Sequence, residues 1–372
     1  MDSLLFTATK IKNINLKNRF VRSATFENMA TPDGRPTQML KEMYNDLAEG
    51  EVGLIVTGLA HVDGYKNLQG AKGIPFPLAI DEDRFIDDWR DVIEGVHKHG
   101  AKIAMQIIHP GRQDIPHIRE PVAPSAVRLE NSDRAPREMT ANEIHELIEK
   151  FAQSCRRVKE AGFDAVQLHG GHGYLISNFI SPYFNIRDDS YGGSTHNRAR
   201  FITEIIKRAR KMVGPEFPIM IKMNFDDFIK GGLNRDEAVR IAKIIVQAGI
   251  DAIEVTGGVS SHNPLSVSAK AINREKDEAY FQSYAKALKK QVPVPVILVG
   301  GIRSISVIDK LIRDEITDFI AMCRPFICEP GLIKRWKEGD SKKAKCISCN
   351  KCRENLPKQS VRCYLNESLE RT

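Results

Sequence analysis

The densest polar chemistry in the chain lies in LHGGHGYLISNFISPYFNIRDDSYGGS, Leu168 to Ser194, where His169 and His172 stand three apart with Tyr174 two residues further on. Histidines at that spacing ligate a metal when they share a helix face. Here Gly170 and Gly171 disfavour a helix, and no nearby glutamate completes a zinc-protease pattern. Two imidazole donors beside a phenol better suit polarising a carbonyl oxygen while a proton is delivered to the neighbouring carbon. A second set lies in ILVGGIRS. Gly300 and Gly301 let the backbone approach a ligand closely, and Ser304 can cap the next helix, whose amide-rich start attracts a phosphate. Arg324, after a later apolar run, adds charge to that phosphate reading. A third set is the tail CISCNKCRENLPKQSVRC, with Cys346, Cys349, Cys352 and Cys363 spaced x2, x2, x10. The first three have the close spacing of iron-sulfur ligands. Four thiolates can also hold zinc, though usually from separated CxxC pairs, and inert packed thiols are the plain alternative.

These groups need elements to position them, and the hydrophobic pattern supplies a repeat. Short apolar runs alternate with longer amphipathic stretches in eight places: Arg19–Thr25, Val52–Gly58, Ala101–Ile108, Phe163–His169, Phe217–Met223, Ile250–Thr256, Val294–Gly300 and Thr317–Cys323. Thr140 with Glu143, and Asn234 with Glu237, have capping-box spacing before helices ending near Ala161 and Gly249. Glycines in KHGAKI, EAGFDAV and QAGIDAI mark helix stops passing directly into strands. Continuous apolar strands covered by helices imply a parallel sheet buried on both faces, and eight units imply an α/β fold closed as a (β/α)8 TIM barrel. An open doubly wound sheet would want a GxGxxG after its first strand, and none is there. The barrel is expected over residues 1–338, with a cysteine-rich tail over 339–372 packed on it. Two long βα loops, His109 to Met139 and Gly170 to Asn197, depart from the minimal repeat.

In such a barrel the residues ending the strands meet at one mouth. They are Ser23, Ala24, Thr25 and Phe26, then Gly58, Gln106 with His109, His169, Lys222, Gly300 with Gly301, and Arg324. Composition sets the outer limits. At 372 residues, 42% hydrophobic and 28% charged, the chain folds around a large core. No apolar run approaches the ~18 to 20 residues of a membrane span, and the first residues lack a signal-peptide pattern, so no membrane association and a cytoplasmic location are the expectations. The charge of +7, from 55 basic and 48 acidic residues, argues for no particular partner. The basic stretch Lys334 to Lys345, interrupted by Glu338 and Asp340, reads as a solvated helix face rather than a nucleic-acid patch.

The motifs LKNRFVRSAT, GLIVTG, IAMQIIHPGR, the Leu168–Ser194 segment with NRARF, PVILVGGIR and the arginine after the eighth run jointly resemble the Old Yellow Enzyme family of FMN-dependent ene-reductases, over residues 4 to 365. The resemblance implies FMN over the barrel mouth, reduced by NADH or NADPH, passing hydride to the β-carbon of an activated alkene. It implies Ser23, Ala24 and Thr25 along the flavin ring, Gly58 and Gln106 at its edge, Lys222 near N1, and Gly300, Gly301 and Arg324 at the phosphate. His169 and His172 would bind the substrate carbonyl and Tyr174 would donate the proton. The chain departs from the family at Phe26, often cysteine or threonine, at Lys222, often arginine, and at Cys323, commonly glycine.

The tail is similar to that of a longer branch, including 2,4-dienoyl-CoA reductase and trimethylamine dehydrogenase, which binds a 4Fe-4S cluster relaying electrons to an appended FAD/NAD(P) domain. That domain is not in this sequence, so two expectations stand: electrons from a separate donor protein through a cluster, or direct reduction by nicotinamide. The substrate is expected to be a small-molecule alkene selected by the His109–Met139 loop and the loop after Thr256 with Ser260, Ser261 and His262. Relatives are frequently homo-oligomers. The competing reading is a non-redox barrel for a phosphorylated metabolite, with Lys222 as a Schiff-base lysine.

Overall fold

Every one of the eight apolar runs forms a strand, because each is bounded by turn residues and can be buried on both faces. In the computed structural model, which describes residues 4–64, 76–114, 119–129, 134–259, 272–354, 356 and 359–365, the strands are β1 (Phe20–Arg22), β2 (Leu54–His61), β3 (Lys102–Ile108), β4 (Ala165–Gly170), β5 (Ile219–Asn224), β6 (Ala252–Thr256), β7 (Val296–Leu298) and β8 (Phe319–Met322). Each pairs in parallel with the next, and β8 pairs with β1, so the sheet closes into the expected TIM barrel. The second run extends further than its apolar pattern suggested. A register shift between Val56 and Leu59 carries β2 past Gly58 to His61.

Helices α1 (Gln38–Glu49), α2 (Arg90–Lys98), α3 (Ala141–Glu160), α4 (Arg200–Val213), α5 (Arg235–Ala248), α6 (Gln282–Lys289), α7 (Ile305–Arg313) and α8 (Leu332–Lys337) follow the strands in turn. Thr140 and Glu143 form the anticipated capping box on α3, and the Asn234 side chain accepts from the Glu237 amide on α5. Gly100, Gly162 and Gly249 all have positive φ, so these turns use the left-handed conformation that glycine adopts without steric cost. Among the described residues no helix is long and apolar enough to cross a membrane.

The barrel interior is layered by the two-residue period of its strands. Val21, Leu54, Val56, Ala104, Ala165, Met220, Ala252, Ile297 and Phe319 form an apolar plug, and Ile11, Ile14 and Leu16 from an antiparallel hairpin join it. Two residues further along four of those strands the same inward face carries Ser23, Gln167, Lys222 and Glu254, and Gln106 follows Ala104 on β3. A dry floor therefore lies directly beneath a polar layer.

The tail is tied to the mouth of the barrel. The Ala344 amide donates to the Arg303 carbonyl at 2.9 Å, and the Val361 amide to the Glu27 carbonyl at 2.8 Å. Asn28 Nδ2 donates to the carbonyls of Leu356 and Gln359. The helix α9 (Lys351–Glu354) stands between these anchors.

The plug supports everything above it, so truncating it should be costly. Phe319→Ala, at a side chain 1% exposed, is expected to lose about 3 to 5 kcal/mol in urea unfolding. Leu4→Ala, at a residue 50% exposed, should stay within about 0.5 kcal/mol. A Phe319→Ala loss below that of the surface control would contradict a load on the interior layer.

Candidate active site

Register brings the polar layer together. On β5 and β6, Lys222 lies beside Glu254, and on the other side it lies beside His169 of β4. Gln106 of β3 lies beside Gln167 of β4. Side chains from five strands then bond in a chain. Gln106 Nε2 donates to Gln167 Oε1 at 2.8 Å, and Gln167 Nε2 donates to Glu254 Oε2 at 2.9 Å. Ser23 Oγ donates to Glu254 Oε1 at 2.6 Å. Lys222 Nζ donates to Ser23 Oγ at 2.8 Å and sits 3.0 Å from Glu254 Oε1. A buried carboxylate with a cation and two further donors is a satisfied charge, which is the condition for burying one.

Above this layer lies a cavity of about 240 Å³. Of the residues expected from the sequence, Ser23, Ala24, Thr25, Gln106, Lys222, His169, His172, Tyr174, Gly301 and Arg324 line it, as does Phe26. Gly58 and Gly300 do not line it. Gly58 donates its amide to the Glu27 carboxylate at 2.9 Å, and a Cβ there would collide with that carboxylate. Its role is to admit Glu27, which also pairs with Arg22 at 2.8 Å and accepts from Tyr44 Oη at 2.7 Å. Gly300 and Gly301, at φ +139° and +69°, lie against the Tyr280 ring, 3.2 Å and 2.9 Å from where their Cβ atoms would be. The close approach that the glycine pair permits is to that tyrosine.

The helix start expected to attract a phosphate is taken. Glu278 Oε2 accepts from the amides of Arg303 and Ser304 at 2.8 and 2.9 Å, and Ser304 Oγ donates to Glu278 Oε1 at 2.7 Å. Ser304 therefore bonds the capping carboxylate and makes no side-chain cap itself. A glutamate satisfies those orphan amides as a phosphate would. Positive charge on the cavity wall comes from Arg303, which is buried and donates to the carbonyls of Cys346 and Ile272, and from Arg324, whose Nη1 donates to Asn350 Oδ1 at 2.6 Å.

His169 and His172 are not on a helix, since β4 ends at Gly170 and the next helix begins at Leu175. Their rings lie 5.0 Å apart at 85°, and the Tyr174 ring lies 4.9 Å from His169. The Gly171 amide donates to His169 Nδ1 at 3.3 Å, which leaves the proton of a neutral imidazole on Nε2 as a donor. His172 has φ +62°, a left-handed conformation that is strained for a side chain of this size. The Asn224 carbonyl oxygen holds its amide at 3.1 Å, and its Nε2 lies 2.8 Å from Thr256 Oγ1. Burial, reinforced by Lys222, pushes His169 down to about 3, and burial also lowers His172 well below its ordinary value. Burial raises the Tyr174 phenol, with Arg353 of the tail acting in the opposite direction. At neutral pH the three present two uncharged imidazoles and an intact hydroxyl.

Several site groups were missed by the sequence reading, some of them despite a signal. Gln167 and Glu254 are polar positions inside otherwise apolar runs, and that interruption marks them. Tyr280, Arg303 and Arg353 lie in loops and the tail, where no period applies. The selectivity loops expected after Thr256 and within His109–Met139 lie partly outside the described residues, including Ser260, Ser261 and His262.

In the tail, Cys352 lines the cavity, and Cys363 is in contact with a fifth thiol, Cys328 of the barrel. Burial pushes Cys328 and Cys352 up to about 12. Among the described residues no three His, Cys, Asp or Glu converge in metal-ligating geometry.

The cavity suits a planar polar group with an anionic end. Lys222, Ser23 and Gln106 line it together with the guanidinium-bearing Arg303 and Arg324. FMN has that form, and the residues present fit it.

A sequence model of the NADH:flavin oxidoreductase / NADH oxidase family matches residues 4–343. The NADH oxidase of Thermoanaerobacter brockii is 39% identical over 350 residues, covering 93% of this chain and 52% of that protein. The cinnamate reductase of Clostridium sporogenes is 32% identical, covering 99% of this chain and 58% of that protein. Among solved structures, 2-naphthoyl-CoA reductase in complex with 2-naphthoyl-CoA superposes with a TM-score of 0.87 at 28% identity, covering 96% of this chain and 56% of that one. The chain spans about half the length of these relatives.

Burying a neutral histidine ties stability to pH. Below pH 6.5 the unfolded chain protonates His169 and the folded chain does not until about 3, so stability falls on acidification by up to about 1.4 kcal/mol per pH unit. His172 acts in the same direction. Urea midpoints measured from pH 7.5 down to 4.5 should decline, and more shallowly for His169→Asn; parallel slopes would refute the assignment.

Proposed function

The chain belongs to the NADH:flavin oxidoreductase / NADH oxidase family, and on that premise we propose that it is an FMN-dependent ene-reductase, using NADH or NADPH to reduce the C=C bond of an α,β-unsaturated carbonyl or enoyl thioester. The observation that carries this reading is the neutral donor trio His169, His172 and Tyr174 in the same cavity as Lys222.

FMN held in this cavity would supply the hydride, taken from nicotinamide. Ser23, Ala24, Thr25, Gln106 and Lys222 would hold its ring, with Lys222 stabilising negative charge at the adjacent edge. Gly301 and Arg324, joined by Arg303, would hold the phosphate. Gly58 and Gly300 act behind the site, by admitting Glu27 and by seating Tyr280.

His169, through Nε2–H, and His172 hydrogen-bond the substrate carbonyl oxygen, drawing electron density from the β-carbon. As hydride reaches that carbon, charge grows on the oxygen these donors hold. Tyr174 gives its phenolic proton to the α-carbon, so the alkene gains one hydride and one proton. Its raised pKa keeps that proton in place until it is needed. Neutral imidazoles suit the task because burial already disfavours their charged forms.

The Schiff-base alternative is not favoured. An imine needs the lysine lone pair, whereas Lys222 Nζ is engaged as a donor to Ser23 and beside the Glu254 carboxylate. Reduction by a separate electron-donor protein is the second reading for the reductant, carried by the cysteine tail on the cavity wall.

Two measurements test this reading. Purified protein should be yellow and bleach anaerobically with NADH or NADPH. Tyr174→Phe should then slow alkene reduction by about 10²-fold or more while sparing flavin reduction, and equal loss in both half-reactions would refute the proton-donor role. For the tail, iron and acid-labile sulfide assays after anaerobic reconstitution should give about four of each per chain if Cys346, Cys349, Cys352 and Cys363 hold a 4Fe-4S cluster. Two irons or fewer would sink that cluster.

A further inference from the structure

The two site imidazoles are bonded through opposite nitrogens. His169 accepts from the Gly171 amide at Nδ1, which leaves Nε2–H as its donor. His172 is engaged at Nε2, 2.8 Å from Thr256 Oγ1, and its Nδ1 has no hydrogen-bond partner among the described residues. The direction of the His172–Thr256 bond therefore sets what His172 can offer a ligand. If the ring donates to the hydroxyl, Nδ1 is left with a lone pair, which repels a carbonyl oxygen. If the hydroxyl donates to the ring, Nδ1 carries the imidazole proton and can hold that oxygen.

The surroundings of Thr256 select the second direction. Thr256 is 2% exposed, and among the described residues its Oγ1 bonds to His172 alone. A hydroxyl that only accepted from the ring would keep its own proton without a described acceptor, and a buried donor left unmade costs free energy. Donation to Nε2 satisfies that proton. Burial also keeps His172 neutral, so the lone pair on Nε2 is there to receive it.

The neighbouring backbone delivers the ring to that hydroxyl. Asn224 and Thr256 are register partners on β5 and β6. The Asn224 carbonyl oxygen accepts from the His172 amide at 3.1 Å, while its Nδ2 donates to Asp227 Oδ1 and to the Gly258 carbonyl, both at 3.0 Å. That commitment of Nδ2 fixes which end of the Asn224 amide meets His172. On the other side, Gln113 Nε2 donates to the His172 carbonyl at 2.9 Å. The Thr256 carbonyl is itself held by the Phe225 amide at 2.8 Å. His172 is thus gripped at its amide and its carbonyl in the left-handed conformation, φ +62°, and its ring reaches from the end of β4 to β6. Strain of this kind persists where the surroundings over-determine it.

We infer that Thr256 is a positioning residue that fixes His172 as the Nδ1–H tautomer, so that the site presents two imidazole donors, Nε2–H of His169 and Nδ1–H of His172. The inference rests on the ene-reductase reading for the identity of the oxygen they meet, the activating carbonyl of the alkene. Thr256 acts through His172, and both imidazoles keep their protons as charge grows on that oxygen. The proton added to the α-carbon still comes from Tyr174.

The test uses FMN-loaded protein carrying histidine isotopically labelled at both ring nitrogens, whose NMR shifts report which nitrogen bears the proton. His172 signals are assigned by their absence from His172→Gln, and FMN content and thermal midpoint are recorded for each variant. In the wild type at neutral pH, His172 should be protonated at Nδ1 and bare at Nε2. Thr256→Val, which replaces the hydroxyl by a methyl of similar shape, should move population to Nε2–H, and Thr256→Ser should restore the wild-type pattern. When photoreduced enzyme is mixed anaerobically with cyclohexenone, Thr256→Val should reoxidise about tenfold more slowly. The loss should lie more in the limiting rate than in apparent Kd, because the charge this donor meets grows during hydride transfer. Thr256→Ser should recover most of that rate. A wild-type spectrum with the proton on Nε2 overturns the inference by itself, whether or not the variants fold. A Thr256→Val protein with unchanged spectrum and rate, or equal losses in Thr256→Val and Thr256→Ser, overturns it too. If the loaded wild-type protein reduces no enone, the ene-reductase reading fails, while the spectrum still decides the tautomer.

Discussion

The buried Lys222–Glu254 pair is the interaction on which the site depends. Glu254 is fully buried and Lys222 nearly so, in a barrel whose interior just below is alanine, methionine and phenylalanine. Removing one partner of such a pair typically costs about 3 to 5 kcal/mol, because the other is left as an uncompensated charge. The surrounding layer is arranged to prevent that. Ser23 and Gln167 supply the carboxylate's further donors, and Gln167 in turn orients Gln106. Gln106 lines the cavity with its amide nitrogen anchored to Gln167. A single charge pair thus sets the hydrogen-bonding face of the cavity floor.

The same arithmetic explains which parts of the protein could be read from the sequence. All eight strands were legible because each is a short apolar run, and the caps at Thr140 and Asn234 were legible because capping is local. Strand ends gave most of the cavity-lining residues, since parallel closure sends every carboxyl end to one mouth. Glu254 was not legible as a partner of Ser23, because the two are 231 residues apart and meet only through barrel closure. Gly58 and Gly300 could not be placed from the sequence for a related reason. A glycine reports that something approaches closely, and the protein groups that approach these two are Glu27 and Tyr280. Ser304 makes no side-chain cap because a glutamate from 26 residues away holds those amides and the serine hydroxyl.

The tail contributes to the site as well as covering it. Arg303 and Arg324, which face the cavity, are also the residues that bond Cys346 and Asn350. The segment between those positions includes Ser348 and Asn350 at positive φ, a conformation that costs energy and persists only where contacts over-determine it. The contacts here are the same guanidinium groups that would neutralise a phosphate. The two arginines on the cavity wall thus also hold the segment that leads to Cys352.

That linkage bears on stability. Lys222, Arg303, Arg324 and Arg353 all line the cavity, so its wall concentrates positive charge. An anionic cofactor held at Arg303 and Arg324 would meet that charge. Binding energy is then also folding energy, since a ligand that binds the native state and not the unfolded chain stabilises it by RT ln(1 + [L]/Kd), about 2.7 kcal/mol at a hundredfold excess over Kd. The neutral histidines fit the same scheme. With positive charge already concentrated around them, a protonated His169 or His172 would add to the repulsion, and desolvation together with Lys222 keeps both rings uncharged. Charge in this cavity is thus divided between permanent cations, which bind anions, and neutral donors, which act where negative charge develops during the reaction.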